Sequence, residues 1–367
     1  MNWIESRLQS FWLRVAESAS LASQEFGCAR IVTGIFILVV YLPHFSWISE
    51  VPQGFFDPPY YSLGAFLNNF PSKVWLVGLD FSILICTLML TLGVWARTSG
   101  CILFCALTIG TTLSNSFGKI DHVFLLIVFL LGMSFTNWGR QFALLPDPEV
   151  PRIHQRYALA ILAFLLSFGM LSAGTSKAFH WLDFNLEEIG FLGWFYAGYF
   201  NYGSEHLLAD YIFLFPPSFF ELFDYVAIAF QLSPFFALYA GRRWWTLWLL
   251  TASVFHLTNA LLLNIPFTMH LPAYFCFCSF SLSETQLRVW KRPGRAKILA
   301  ISLVTITLVW QVWSLLNSGH LSSISEGLLS QYQQLVLACI LWLSLISVFL
   351  FTARKEHLNI VNQQKSQ

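Results

Sequence analysis

The chain has 367 residues, of which 56% are hydrophobic and only 11% are charged, and its formal net charge is +1. This composition excludes a water-soluble globule with an ordinary charged surface, and the small net charge excludes nucleic acid as an expected partner. All 7 cysteines lie in apolar stretches, which excludes a secreted scaffold held by disulfides. The sequence therefore predicts an all-α integral membrane protein, built as a polytopic bundle of transmembrane helices with the lipid bilayer as its surroundings.

The first predicted element is an amphipathic segment at residues 1–26. Apolar side chains such as Trp3 and Leu8 alternate there with charged ones such as Glu5 and Arg7 at helical spacing. This pattern is typical of a helix that lies in the membrane interface, and it lacks the continuous apolar core of a cleavable signal peptide. We expect residues 1–26 to form an interfacial helix.

About ten apolar runs follow, each close to the length that a helix needs to cross a bilayer. Residues 27–285 form the main transmembrane domain, and residues 286–367 contain a basic loop, two further spans and a tail. The aromatic stretch 189–217 predicts a re-entrant or interfacial segment. The expected spans are residues 29–47, 74–95, 99–116, 121–137, 156–174, 221–240, 244–263, 266–283, 297–316 and 331–352.

Most of the 20 Lys and Arg residues fall in alternate connections between these runs. Because cytoplasmic loops are enriched in basic residues, this distribution favours ten spans with both termini in the cytoplasm.

Lys119 and His122 begin the fourth expected span, within Phe117-Gly-Lys-Ile-Asp-His122. They are three residues apart, so they share one face if the helix begins here. Burial penalises the charged form of lysine, and a lysine at a dry membrane edge can therefore act as a base. The alternative is that Lys119 extends to the headgroups while His122 anchors the span.

His256 and Asn259 also share one helix face, in the seventh expected span, and His270 returns to a similar depth on the next span. Polar residues inside a membrane are costly unless they face a cavity or a partner, so these three residues are candidates for lining a site. Hydrogen bonding between helices is the alternative role.

Two further positions are candidates for binding a substrate or cofactor. Lys177 and His180 lie where the fifth span leaves the membrane, and Arg30 lies at the start of the first span. Each has a structural alternative, because Lys and Arg at a membrane edge commonly serve as anchors or as partners of carboxylates and carbonyls.

No metal site is expected from the cysteines. Cys101 with Cys105, and Cys276 with Cys278, lie in apolar helices without His or carboxylate neighbours at ligand spacing. The sequence also lacks the glycine-rich loops of nucleotide-binding proteins and the nucleophile motif of hydrolases.

In order and spacing, several short motifs resemble the membrane region of vitamin K-dependent gamma-glutamyl carboxylase and its bacterial relatives, the HTTM-domain proteins. The resemblance covers about residues 20 to 285. The motifs are Arg30, Gly54-Phe-Phe-Asp-Pro-Pro59, Lys119 with His122, Ala173-Gly174-x-x-Lys177 and Phe255-His256-Leu-x-Asn259.

The resemblance implies a pocket for a reduced quinone similar to vitamin K hydroquinone, with O2 and CO2 as co-substrates. Lys119 matches the lysine that deprotonates the hydroquinone, and His256 with Asn259 matches the segment that lines the site. Generating a strong base requires exclusion of water, which burial in a membrane provides. Only a basic loop and two expected spans follow residue 285 here, so a peptide or small molecule is the expected substrate.

A second class of function fits the same sequence. The chain could be a non-catalytic membrane component of peptide toxin maturation, export or immunity, or a transporter. Catalysis requires the candidate side chains to converge on one cavity, whereas the alternatives do not. The sequence predicts no particular oligomeric state.

Overall fold

The computed structural model describes residues 3–20, 23–118, 121–183, 188–204, 206–278 and 293–365. Within these ranges the regular structure is helical, and no strand is present beyond an isolated bridge between Val94 and Leu145. The predicted all-α class is therefore confirmed for the described chain.

Fifteen α-helices are described, joined by short 3₁₀ turns and, at Ala197–Asn201, a π-helix. They are α1 (Trp3–Ser18), α2 (Ser23–Val39), α3 (Lys73–Leu92), α4 (Ala96–Ser114), α5 (Phe124–Ser134), α6 (Arg152–Trp181), α7 (Gly190–Tyr196), α8 (Ala209–Ile212), α9 (Pro217–Leu232), α10 (Pro234–Ala240), α11 (Arg242–Leu263), α12 (Leu271–Phe275), α13 (Pro293–Ser318), α14 (Ile324–Leu328) and α15 (Gln331–Lys365).

The helices group into two compact units. Unit 1 comprises Met1–Ser20, Leu159–Cys278 and Gln331–Gln367, and unit 2 comprises Leu21–Ala158 and Ser279–Ser330. Unit 1 therefore combines the first helix, the central segment and the last helix of the chain, and the domain division expected from the sequence stays a prediction.

Six of the described helices are long and apolar enough to cross a membrane. They are α3, α4, α6, α11, α13 and α15, and each coincides with one expected span. The count becomes seven if α9 and α10, which are bent by 45° relative to each other, are taken as one broken span. Membrane-spanning character is thus supported, whereas the count of ten is not confirmed.

The remaining expected spans contain shorter helices. Helix α5 has 11 residues, which at about 1.5 Å per residue cover only about half of a hydrocarbon layer. The apolar part of α2, Phe26–Val39, is also short, and Pro43 follows it closely. In the expected span 266–283, Pro266 precedes α12 and Pro272 is its second residue, and residues 279–283 lie outside the described ranges.

Helix α1 forms where the sequence predicts an amphipathic helix, although it ends at Ser18 and a second helix already begins at Ser23. Its apolar face packs within unit 1. Phe11 stacks on Tyr239 at 6.2 Å between ring centroids, and Trp12 meets Phe164 at 5.5 Å. The helix is therefore observed, while its position in the membrane interface stays a prediction.

In unit 2 a buried carboxylate fixes the chain that follows α2. Asp80, on α3, accepts hydrogen bonds from the backbone N–H groups of Phe45 at 2.6 Å and Ser46 at 3.1 Å. The adjacent His44 stacks on His320, with ring centroids 3.9 Å apart and planes 9° from parallel. Two histidine rings in such contact repel each other when both are charged.

Acid is expected to destabilise unit 2 through His44. Burial lowers the pKa of His44, the like charge of His320 lowers it further, and Glu326 and Asp80 oppose both effects. The folded chain therefore binds fewer protons than the unfolded chain, so this contribution to stability is present above about pH 6.5 and is lost as the pH falls below it. The thermal unfolding midpoint in detergent should fall between about pH 7 and about pH 5.

The variant His44→Phe keeps a flat ring against its neighbour but cannot be protonated, so its midpoint should depend less steeply on pH. The matched control is His154→Phe, because His154 is exposed. An equally steep pH dependence in wild type and His44→Phe would rule out this role for His44.

Candidate functional site

His256 lies at the centre of a buried aromatic cluster in unit 1, with 2% of its surface exposed. Its Nε2 is 3.0 Å from the hydroxyl oxygen of Tyr274, within hydrogen-bond distance. Its ring stacks on Trp342 at 4.9 Å and meets His270 edge-on at 5.2 Å. Together with Phe267, these side chains form what we call the imidazole cluster.

The end of α11 explains how the imidazole cluster assembles. The backbone carbonyl of Asn259 accepts hydrogen bonds from the N–H groups of Asn264 and Ile265, which terminates the helix. The indole N–H of Trp342 then donates to the carbonyl of Pro266 at 2.6 Å, which ties the returning chain to α15. His270 and Tyr274 are thereby brought back beside α11.

The connection between α11 and α12 contains two left-handed residues that are not glycine. The φ angle is 53° at Asn264 and 46° at Phe267. Asn tolerates this conformation, whereas a bulky residue such as Phe pays about 1–2 kcal/mol. The ring of Phe267 lies 4.9 Å from that of His256, so the unfavourable backbone is directly beside the imidazole cluster.

Lys177 forms a second polar contact in unit 1, between α6 and α9. Its Nζ donates to the side-chain oxygen of Gln231 at 2.9 Å. The same ammonium lies 5.3 Å from the ring centroid of Trp181 and 5.9 Å from that of Phe255, within cation–π range. Because Phe255 precedes His256, α11 contacts Lys177 on one face and contributes to the imidazole cluster on another.

Gly174 permits the close approach of α6 and α9 that places Lys177. A Cβ atom at this position would lie 2.8 Å from the Cβ of Gln231, closer than real Cβ contacts. The spacing of Ala173-Gly174-x-x-Lys177 is therefore accounted for by helix packing. The lysine follows one turn after the point of closest contact.

Two buried carboxylates on α9 were not singled out by the sequence. Asp224 accepts hydrogen bonds from the backbone N–H of Phe191 at the start of α7, with distances of 3.0 and 3.3 Å. Glu221 pairs with the hydroxyl of Tyr225 one turn further along. The detectable signal was the placement of Glu221, Asp224 and Gln231 on one face of an apolar helix.

The other predicted site residues are distributed more widely. Arg30 is completely buried in unit 2, where it donates to the carbonyls of Trp138 at 3.2 Å and Phe142 at 2.6 Å, so its contacts are structural. His122 is exposed. His180 is also exposed, with Nδ1 2.7 Å from the carbonyl of Ser176. Lys119 lies outside the described residues, and its convergence with His256 stays a prediction.

Two cavities lie apart from the imidazole cluster. One, of about 450 Å³, is in unit 1, and we call it the His206 cavity. It is lined by Tyr199, His206, Leu207, Ala209, Asp210 and Tyr332. The other, of about 990 Å³, is in unit 2 and is lined mainly by apolar residues of segment 66–82, including Phe66 and Trp75, together with Asn68 and Asn69.

Burial lowers the pKa of His206, and the backbone of Leu262 partly opposes this effect. The imidazole of the His206 cavity is therefore neutral near pH 7, and a neutral imidazole offers a hydrogen-bond acceptor.

No group of three or more His, Cys, Asp or Glu side chains suited to a metal ion occurs among the described residues. No protein-family model matches the chain, and no curated protein or solved structure matches it either. The functional argument therefore depends on the geometry of unit 1 and on the motifs in the sequence.

Proposed function

We propose that this chain is an integral membrane enzyme that transfers protons within the bilayer and uses a reduced quinone, as the vitamin K-dependent carboxylases do. The observation that carries the proposal is the contact between His256 and Tyr274 at 3.0 Å inside an aromatic enclosure. A general acid or base must lie within hydrogen-bond reach of the group with which it exchanges a proton, and His256 and Tyr274 meet this requirement.

Burial of the His256–Tyr274 pair matters because it keeps water away from the groups that exchange a proton. His256 and Tyr274 are almost completely shielded by aromatic rings, and Tyr274 is 0% exposed. A proton that moves between such groups does not exchange freely with water, which protects a strongly basic intermediate from being quenched. Polar groups at this depth are expensive, and their presence in an apolar bundle favours a functional role.

The residue types of the imidazole cluster suit a quinone ring, because they combine aromatic faces with partners for a hydroxyl group. A reduced quinone supplies a hydroxyl proton and two electrons for reaction with O2. The described side chains are in mutual contact, with Phe267 and Trp342 each 4.9 Å from His256. Binding a quinone ring within the cluster requires the side chains of Phe267 and Trp342 to separate. Phe267 is the residue proposed to move, because its backbone has an unfavourable positive φ angle.

The proposed roles extend to the residues singled out in the sequence. Lys119 is the base that takes the first proton, and His256 with Tyr274 moves protons at the imidazole cluster. His270 and Asn259 complete the lining of that cluster, and Lys177 provides a cation in unit 1, to which His256 also belongs. The remaining candidates are His122 and His180 near the membrane edge, and Arg30, whose contacts suit an anchor better than a ligand.

We further propose about ten spans, an interfacial α1 and both termini in the cytoplasm, because this arrangement gathers most basic residues on one side. The resemblance to the bacterial HTTM-domain proteins supports a bacterial inner membrane as the proposed location. The proposed substrate is a peptide or small molecule, with CO2 as the carboxyl donor.

Purified protein in lipid nanodiscs should oxidise a reduced naphthoquinone in the presence of O2 faster than empty nanodiscs do. In Lys119→Arg the guanidinium keeps its positive charge and does not give up its proton, so it cannot act as a base. The rate of quinol oxidation should fall by about tenfold or more, while the thermal unfolding midpoint stays at the wild-type value. Lys119→Ala should recover part of the rate when a small amine is added.

Thr251→Val is the matched control, because Thr251 lies on α11 with its side chain exposed and bonded only to its own helix. It should oxidise quinol at the wild-type rate. Quinol loss that is the same with wild-type and empty nanodiscs would dispose of the proposed enzyme activity.

A further inference from the structure

The His206 cavity is a second, separate feature of unit 1. It is formed by the π-helix that follows α7, by the segment that leads into α8, and by the first turn of α15. Its volume of about 450 Å³ falls within the range of small-molecule pockets, which begins at about 300 Å³. The imidazole cluster contributes no residue to it.

The local fold is fixed by packing beneath the cavity. Phe195, which is fully buried, meets the ring of His206 at 5.1 Å, and Tyr199 meets it at 5.7 Å. The N–H of Leu208 donates to the carbonyl of Leu261 at 3.2 Å, which ties this segment to the end of α11. Packing and a backbone hydrogen bond therefore hold the segment that lines the cavity in place.

Among the described residues that line the cavity, the one Asp, Glu, Lys or Arg side chain is negative. That side chain is Asp210, which is exposed. Between Lys177 and Arg242 the sequence contains seven Asp and Glu residues and neither Lys nor Arg. Nor is there a Lys or Arg in the sequence from 319 to 353, which includes the start of α15.

The polar groups that line the His206 cavity are suited to a ligand that donates hydrogen bonds. Asp210 accepts hydrogen bonds, and a neutral His206 imidazole offers another acceptor. The rings of Tyr199 and Tyr332 add aromatic faces, which attract a cation. A primary ammonium has three N–H donors and one positive charge, so it complements the carboxylate, the imidazole and the aromatic faces together.

We propose that the His206 cavity is a binding site for a primary ammonium group, carried either by a soluble amine or by an aminophospholipid headgroup. This site is independent of the quinone chemistry proposed above. It gives unit 1 a means of recognising a cationic ligand beside, and not within, the imidazole cluster.

The test is binding of ethanolamine to the full chain in nanodiscs made of phosphatidylcholine, measured by calorimetry. Asp210→Asn removes the charge at constant volume, and we expect it to weaken binding at least about tenfold. Asp183→Asn is the matched control, because Asp183 is an exposed acid of the same segment outside the cavity lining. It should bind ethanolamine as wild type does.

Two further arms define the ligand. His206→Phe retains an aromatic ring against Phe195 but loses the acceptor, so it should weaken ethanolamine binding more than choline binding. Ethanolamine affinity that falls when the nanodiscs contain phosphatidylethanolamine identifies the lipid headgroup as the source, and unchanged affinity identifies a soluble amine. Equal binding by wild type and Asp210→Asn, or no ethanolamine binding by wild type in either lipid, would overturn the proposal.

Discussion

Replacing His256 with Gln is expected to reduce quinol oxidation by about 10²- to 10⁴-fold, the contribution usual for a general acid–base group. Glutamine is close to histidine in size and can still form a hydrogen bond with Tyr274, but it does not bind and release a proton at neutral pH. Tyr274→Phe removes only the hydroxyl, and we expect a loss of about 10²-fold from this variant.

Measuring both the reaction rate and the melting temperature of these variants distinguishes a loss of catalysis from a loss of folding. Both variants should melt close to the wild-type temperature in detergent, because each keeps the aromatic or polar volume of the imidazole cluster. The rates of the double variant should match those of His256→Gln alone, since the two groups act as one unit. Rates within twofold of wild type in both single variants would remove the imidazole cluster from the mechanism.

Replacing Arg30 with Met is expected to destabilise the protein by about 3 kcal/mol or more. The guanidinium is fully buried and satisfies the carbonyls of Trp138 and Phe142. Each buried acceptor left without a partner costs about 1–3 kcal/mol. Arg30→Lys should recover only part of this loss, because one ammonium does not reproduce the planar fork.

The measurement is the thermal unfolding midpoint in detergent, together with the yield of folded protein. Arg156→Met is the matched control, because Arg156 is exposed and its replacement should leave the midpoint nearly unchanged. If Arg30→Met unfolds at the wild-type temperature but loses quinol binding, Arg30 is a ligand-binding residue and the structural assignment is wrong.

The sequence predicts the fold class well, because hydrophobic runs of about 20 residues determine where long membrane helices form. It predicts α5 and α12 poorly. An apolar run indicates burial, whereas helix length also depends on where the backbone turns. Helix α5 ends at Ser134, and Pro266 precedes α12 while Pro272 lies within it. Hydropathy alone therefore overestimates the number of long spans.

For the candidate site, sequence reasoning singled out His256 and His270, and the structure brings these two rings into contact. It passed over Tyr274 and Trp342, because an aromatic residue in an apolar run carries no signal that distinguishes a site from a core. Their contacts depend on the reversal of the chain after α11. That reversal follows from two left-handed residues, which hydrophobic patterning does not reveal.

The most direct test of the central claim is the position of a bound quinone. Wild-type protein in nanodiscs would be irradiated with an azido-naphthoquinone, digested and mapped by mass spectrometry, with unlabelled quinone as competitor. The proposed function predicts competed labelling of peptides containing residues 255–275 and Trp342. Labelling confined to residues 66–82 or 199–210, which line the two cavities, would contradict a quinone site at the imidazole cluster.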